Sequence, residues 1–221
     1  MILAIDTATQ SAGLAIFDPD REIILAEQTW HSRVNHTVEL TPNLRAMLDT
    51  QHLTTSDLTG IVVARGPGSF TGLRIGMSVG KALAYAHGIE IAAVPTLDVI
   101  AHAQAARELP LWAILQAGRE RIVAACYPVD GPPPSQEEYK NTTLPELADQ
   151  IDYATLFSGE LDAAGVTQLK QTLGELAVVV SPANRVRRPA HLAEAGWQAL
   201  AAGRADDPVT LAPIYLHRPG S

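Results

Sequence analysis

A strand, a glycine-rich turn and a glycine-striped helix, at residues 61–88, constrain the fold of this chain more than any other stretch. The run IVVA leads into RGPGSFTG and then into a helical segment where Gly72, Gly76 and Gly80 recur every fourth residue. Ala84 extends the row. Residues four apart share one side of a helix, and each interior glycine costs about 1 kcal/mol relative to alanine. The stripe therefore predicts that another backbone packs closely against this side.

The apolar sector of this helix covers about half its circumference, which is wider than the stripe of about 100° that one sheet contact requires. The helix is therefore expected to pack against a second structural element in addition to the sheet. The second is either a neighbouring helix, predicted over residues 35–51 with a kink or break at Pro42, or another subunit. Geometry alone favours the neighbouring helix, because small residues most often serve internal packing.

The order of elements predicts an α/β protein with a duplicated, ribonuclease H-like topology. Three strand-like segments come first and are followed by helix, strand, helix, strand and helix, which fits an antiparallel meander continued by parallel crossovers. The pattern restarts near Leu111, so we expect two lobes, residues 1–100 and 101–221. The second lobe is shortened and is interrupted by the exposed loop GPPPSQEEYKN.

Composition and charge exclude several classes of protein. With 47% hydrophobic and 18% charged residues the chain can bury a core, and its apolar runs have the length of strands rather than of membrane spans. The first residues lack a secretory signal, which predicts a cytoplasmic protein. A net charge of −8 indicates that the chain alone binds nucleic acid poorly. The single cysteine, Cys126, is expected to fill a buried position.

Asp6 is the first residue with possible chemistry, because it ends the first strand where a carboxylate can hold a metal or orient a phosphate. It can equally be the acceptor of an Asx turn in DTATQS, and the sequence leaves both readings open. The equivalent point of the second lobe carries Gln116, a poor ligand for magnesium phosphate.

The turn RGPGSFTG matches neither a Walker loop nor a dinucleotide fingerprint. Ser69 or Thr71 is the predicted cap of the following helix. The free amides near Gly66, Gly68 and Ser69 remain able to hold an anion. No cofactor is predicted.

Four segments together resemble the TsaB (YeaZ) family. They are MILAIDTATQSAGLAIFD, ARGPGSFTGLRIGMSVGKALA, VPTLDVIA and APIYLHRP, and they span nearly the whole chain in order. The resemblance implies a two-lobed fold of the actin, Hsp70 and sugar-kinase type, in a protein needed for threonylcarbamoyladenosine on tRNA. The chain departs from the family at Gln116 and Gly118, where an Asp-Ala-Arg sequence is more usual.

The resemblance implies a supporting role rather than catalysis. In the family, TsaC makes threonylcarbamoyl-AMP, TsaD transfers the group to the adenosine beside the anticodon, TsaE joins as an ATPase, and TsaB pairs with TsaD. TsaD-like proteins hold a metal through an HxxxH motif whose places are here Thr96 and Ile100, which cannot replace imidazole ligands. No metal site is therefore expected, and tRNA is reached only through the complex.

The family places the contact with TsaD on the first two helices of the first lobe, here residues 35–51 and 70–87. The residues expected at this interface are Val38, Leu44, Met47, Gly72, Leu73, Gly76, Met77, Gly80 and Ala84.

Two other hypotheses remain at this stage. The first is a nucleotide-dependent phosphotransferase or ATPase that acts through Asp6 and binds ATP with magnesium. The second is a homodimer through the same helices, since an exposed apolar face seldom stays unpaired.

Overall fold

The protein forms two compact units in a computed structural model that describes residues 1–32, 36–118 and 120–216. Unit 1 comprises Met1–Val99 and Arg188–Ser221, and unit 2 comprises Ile100–Arg187. The expected start of the first helix at Asn35, and His217 of the last motif, lie outside the described residues.

The two units contain ten strands and six helices of α type within the described ranges. The strands are β1 (Ile2–Asp6), β2 (Ser11–Asp18), β3 (Ile23–His31), β4 (Gly60–Gly66), β5 (Glu90–Pro95), β6 (Leu111–Gln116), β7 (Arg121–Tyr127), β8 (Lys140–Thr143), β9 (Thr155–Gly159) and β10 (Ala177–Val179). The helices are α1 (His36–Thr50), α2 (Phe70–His87), α3 (Thr96–His102), α4 (Leu144–Ala148), α5 (Ala163–Leu173) and α6 (Pro189–Ala201).

Both units are built on a five-stranded sheet with the same strand order. The order is β3-β2-β1-β4-β5 in unit 1 and β8-β7-β6-β9-β10 in unit 2. In each sheet the first three strands pair antiparallel and the last two continue in parallel. The strands β4 and β9 even end alike, on Gly66 and Gly159, each with φ +107°. The repeated order confirms the predicted duplication.

The sheet of unit 1 is covered on both faces. Successive side chains of a strand point to opposite faces, so Leu3 and Ile5 of β1 join the cluster under α1 and α2, whereas Ala4 joins the cluster under α6. All three side chains are at most 1% exposed. This alternation fixes α1 and α2 together on one side of the sheet.

The helix α6 belongs to unit 1 and not to the second lobe, which is expected from the sequence to span residues 101–221. Its Leu192 and Ala193 are fully buried, and a Cβ at Gly196 would overlap the side chain of Val62 on β4. Small residues thus let α6 lie directly on the sheet of unit 1. Unit 2 consequently ends at residue 187 rather than at 221.

The helix α2 has the predicted bounds because both of its ends are capped. The Ser69 hydroxyl accepts from the amide of Gly72 at 3.1 Å, and Gly88 ends the helix in the left-handed region with φ 63°.

Neither α2 nor any other helix in the described ranges is long and apolar enough to cross a bilayer.

Two local predictions differ from the structure. A kink or break was expected at Pro42, and the break is wrong because α1 continues through this residue. The strand β8 lies where the predicted loop ends, and its sequence KNTT, polar and half-buried at a sheet edge, lacks the alternation that marks a strand.

Candidate functional site

The glycine stripe of α2 faces the sheet of its own unit. A Cβ at Gly76 would overlap the Thr7 hydroxyl, one at Gly72 would overlap the Thr7 carbonyl, and one at Gly80 would lie 2.5 Å from Val63 Cγ1. All three separations are shorter than 3.0 Å, a distance below which Cβ atoms essentially never approach other atoms. The predicted close approach is present, but a backbone atom makes it only at Gly72, whereas Gly76 and Gly80 lie against side chains of Thr7 and Val63.

Most other residues expected at the interface are also internal. Val38 alone of the nine is exposed, at 65%, because it lies on the outer side of α1. The remaining five side chains are at most 6% exposed and belong to the core of unit 1, so their assignment to a docking surface is wrong: Leu44, Met47, Leu73, Met77 and Ala84.

The opposite side of α2 carries an exposed row that we call the outer ridge, formed by Phe70, Arg74, Ser78, Ala82 and Tyr85. Its members are spaced three or four residues apart and therefore share one face. Phe70 is 38% exposed and Tyr85 is 87% exposed, while the centre of the ridge carries the two small side chains. The outer ridge thus combines a low centre with an aromatic residue at each end.

The helix α1 packs beside α2. Its buried Leu40 and Leu44 join the cluster that also holds Ile75 and Val79 of α2, both half-buried. On its outer side it exposes Val38. Large exposed apolar residues thus lie on both helices.

The turn before α2 is partly filled by the chain's own backbone. The carbonyl of Ala8 accepts from the amide of Ser69 at 2.6 Å and fills the space beside Gly68, where a Cβ would overlap it. The amide of Gly72 is already bonded to the Ser69 hydroxyl. The chain's own backbone therefore fills the space beside Gly68, and two amides of the turn already have acceptors within the chain.

Asp6 is buried and serves the adjacent turn. It is 2% exposed, and its Oδ1 accepts from the amide of Ala8 at 2.9 Å. The Asx-turn reading is therefore confirmed. Nearby, burial lowers the pKa of His36 below its ordinary 6.5, while the charges of Glu39 and Asp6 act in the opposite direction.

The two positions of the metal motif hold core residues. Thr96 is fully buried and its hydroxyl accepts from the amide of Gly66 at 3.1 Å. Ile100 is 2% exposed. A hydroxyl that holds a backbone amide and an aliphatic side chain do not provide metal ligands.

In unit 2, the end of β6 corresponds to the end of β1, where Asp6 lies. It is held by residues that no sequence motif marks. Glu160 accepts from the amide of Gln116 at 3.0 Å, and the Gln116 side chain donates to the carbonyl of residue 160 at 3.0 Å. Arg187, only 5% exposed, forms an ion pair with Glu160 at 3.2 Å. No local sequence signal announces this pair, because its members are 27 residues apart.

Sequence comparisons identify relatives over nearly the whole chain. Residues 24–220 match the family described as TsaD, tRNA N6-adenosine threonylcarbamoyltransferase. The chain is 31% identical to the tRNA threonylcarbamoyladenosine biosynthesis protein TsaB of Bacillus subtilis, covering 97% of this chain and 93% of that protein. It is 34% identical to the protein of the same name from Escherichia coli over 100 residues, which cover 45% of this chain and 42% of that protein.

Solved structures share the fold. YeaZ from Pseudomonas aeruginosa matches with a TM-score of 0.75 and 23% identity, covering 97% of this chain and 99% of that one. The ethanolamine utilization protein EutJ from Carboxydothermus hydrogenoformans matches with a TM-score of 0.53 and 14% identity, covering 86% and 88%. With the two repeated sheets, these likenesses confirm the predicted actin-like α/β class.

Proposed function

Because the chain belongs to the TsaB family of tRNA threonylcarbamoyladenosine biosynthesis proteins, we propose that it acts in this pathway as a non-catalytic subunit. In this role it pairs with a TsaD-like enzyme, which performs the transfer, and it helps to recruit a TsaE-like ATPase. It works in the cytoplasm and reaches tRNA only through the complex, since a chain of net charge −8 needs a partner to supply the positive surface.

The internal hydrogen bonds of the turn before α2 are the observation that supports the non-catalytic role. A phosphate-binding turn needs free amides, yet Ser69 donates to Ala8 and Gly72 donates to Ser69. The carboxylate of Asp6 holds the turn after β1, whose Ala8 carbonyl accepts from Ser69. An enzyme that acts on nucleotides through these residues would first have to rebuild both turns.

Calorimetry with magnesium ATP tests this part of the proposal. We expect no heat of binding from the isolated chain. Tight, magnesium-dependent binding that Asp6→Asn abolishes would instead favour a phosphotransferase or ATPase, and would overturn the non-catalytic role. Asparagine is the suitable replacement because its side-chain oxygen can still accept from the amide of Ala8.

The outer ridge and the exposed side of α1 form the proposed docking surface for the TsaD-like subunit. They replace the glycine stripe in this role. The small side chains of Ser78 and Ala82 allow a partner helix to approach closely, and the aromatic residues at either end enclose it. Val38 extends the surface onto α1. The same apolar surface supports a homodimer at high concentration when the partner is missing.

Pairing with the TsaD-like subunit of the same organism tests the docking surface. We expect Ala82→Arg to abolish the complex in light scattering while the isolated variant unfolds at the wild-type temperature, because position 82 is exposed. The matched control is Ala164→Arg, at an exposed position of α5 in unit 2, which should pair normally. Normal pairing of the Ala82 variant would contradict the proposal.

A further inference from the structure

The segment that follows α6 returns along the edge of the sheet and then along α2. Asp206 donates its amide to the carbonyl of Ile91, and its carboxylate accepts from the amide of Ala93 at 2.8 Å. Farther on, the amide of Ile214 donates to the carbonyl of Arg65 at 2.8 Å. We call residues 206–215 the C-terminal strap.

The strap runs against α2 in the opposite direction to the helix. The ammonium group of Lys81 donates to the carbonyl of Leu211 at 2.6 Å, and four residues later the Tyr215 hydroxyl accepts from Arg74 Nε at 2.9 Å. Leu211 and Ile214 are at most 7% exposed. These two buried side chains therefore hold the strap in place, and Tyr215 lies beside the first turns of α2.

Tyr215 completes a cluster with the first two members of the outer ridge. Its ring centre lies 5.0 Å from that of Phe70. The guanidinium of Arg74 lies 4.0 Å above the Phe70 ring and 5.9 Å from the Tyr215 ring. Two aromatic rings and one hydrogen bond thus fix the orientation of an exposed cation.

The cation of this cluster is open to an external partner. Arg74 is exposed, and within the described part of the chain no acidic side chain pairs with it. Its Nε is used by Tyr215, which leaves the two terminal amino groups. A planar fork held in one orientation is suited to a carboxylate, because little side-chain entropy remains to be lost on binding.

We propose that Phe70, Arg74 and Tyr215 form an anchor of the docking surface, and that Arg74 receives a carboxylate of the TsaD-like partner. This inference rests on the proposed function. Its support is continuity, because Phe70 and Arg74 lie on the same face of α2 as Ser78 and Ala82, and composition, because aromatic residues and arginine dominate the binding energy of interfaces. The strap thereby becomes part of the recognition surface.

Charge reversal at the anchor tests the proposal in the full-length chain. We expect Arg74→Glu to weaken binding of the TsaD-like subunit by about tenfold or more, since it places a carboxylate against a carboxylate. The matched control is Arg204→Glu, at an exposed position after α6, which changes net charge equally. It should leave the dissociation constant within about twofold, as expected for a charge outside the interface.

Arg74→Met separates recognition from folding. Methionine keeps an apolar stem on Phe70 but lacks the cation, so the variant should remain folded by thermal unfolding. We expect its affinity for the partner to fall and also to become less dependent on salt than that of wild type, a change that a purely structural role of Arg74 would not produce.

The outcomes distinguish the anchor from the wider docking surface. If Arg74→Glu and Arg74→Met pair like wild type while Ala82→Arg does not, the proposed role of the anchor is wrong and the proposed docking surface stands. If all three variants pair normally, the assignment of the docking surface is wrong as well. Binding of a tRNA anticodon stem-loop by the isolated chain, abolished in Arg74→Met, would show that the cluster stacks on RNA bases and would overturn the proposal.

Discussion

The hydroxyl of Thr7 lies where a side chain at position 76 would have to go. This hydroxyl donates to the carbonyl of Gly72 at 2.7 Å, so it is held in place by α2 itself. A Cβ at Gly76 would overlap it. The contact lies on the buried side of α2, and the outer ridge is exposed on the opposite side.

Gly76→Ala should consequently destabilise unit 1. Alanine gains about 1 kcal/mol of helix propensity, but overlap with a hydrogen-bonded, buried hydroxyl costs more. We expect a net loss of about 1 to 3 kcal/mol in the free energy of unfolding, measured by urea denaturation. Ser78→Ala, on the exposed side of the same helix, is the control and should not lower stability. A Gly76 variant more stable than wild type would contradict the packing.

Much of the fold could be predicted because its signals are local. The bounds of α2 agree with the predicted residues 70–87, and the repeated order of strands follows from the restart of the apolar pattern near Leu111. The partner of the glycine stripe was not visible, because a row of small residues shows only that some backbone lies close. Sequence periodicity contains no information on whether that backbone belongs to the same chain.

Contacts between distant segments account for the remaining errors. The place of α6 depends on the fit of Gly196 against Val62, and the turn of unit 2 depends on Glu160 and Arg187. Each of these contacts joins residues far apart in the sequence. The exposed anchor at Tyr215 was missed for the same reason, since Arg74 lies 141 residues before it.

Glu27→Ala should weaken the attachment of α6. The residue before this helix, Arg188, provides no side-chain cap, and Glu27 of β3 accepts instead from the amide of Ala190 at 3.0 Å. Its carboxylate also accepts from Arg188 Nε at 2.9 Å. Loss of a cap and a charged hydrogen bond should lower the free energy of unfolding by about 1 to 2 kcal/mol.

Two further variants, measured by urea denaturation, separate the loss of the acceptor from the loss of a negative charge. Glu27→Gln keeps an oxygen acceptor and should cost less than Glu27→Ala. Glu90→Ala, at an exposed position of β5, should cost little and controls for the removal of one negative charge. Equal stability of the alanine variants at positions 27 and 90 would show that α6 does not need this cap.

His36 should make stability fall on mild acidification. Burial lowers its pKa in the folded protein below 6.5, so between the folded pKa and 6.5 the unfolded chain binds more protons. The contribution of His36 is therefore complete above the unfolded pKa and is lost as the pH falls below it.

The measurement is the free energy of unfolding between about pH 5.5 and pH 8, a range that lies above the titration of most carboxylates. His36→Gln should flatten the slope, whereas His31→Gln, at an exposed position of β3, should keep it. An unchanged slope in the His36 variant would assign the pH dependence to other groups.

Gly159→Ala should destabilise unit 2 by two separate effects. The residue has φ +107°, a conformation that alanine rarely adopts, and a Cβ there would overlap the carbonyl of Ile114 on the neighbouring strand β6. Strain of this kind costs about 1 to 3 kcal/mol, and the overlap adds to it because a strand backbone cannot move aside. Gly118→Ala separates the two effects, since φ is +74° at Gly118 but a Cβ would meet nothing within 4 Å. We expect Gly159→Ala to lower the unfolding temperature clearly more than Gly118→Ala, and equal effects of the two variants would rule out the close contact between β9 and β6.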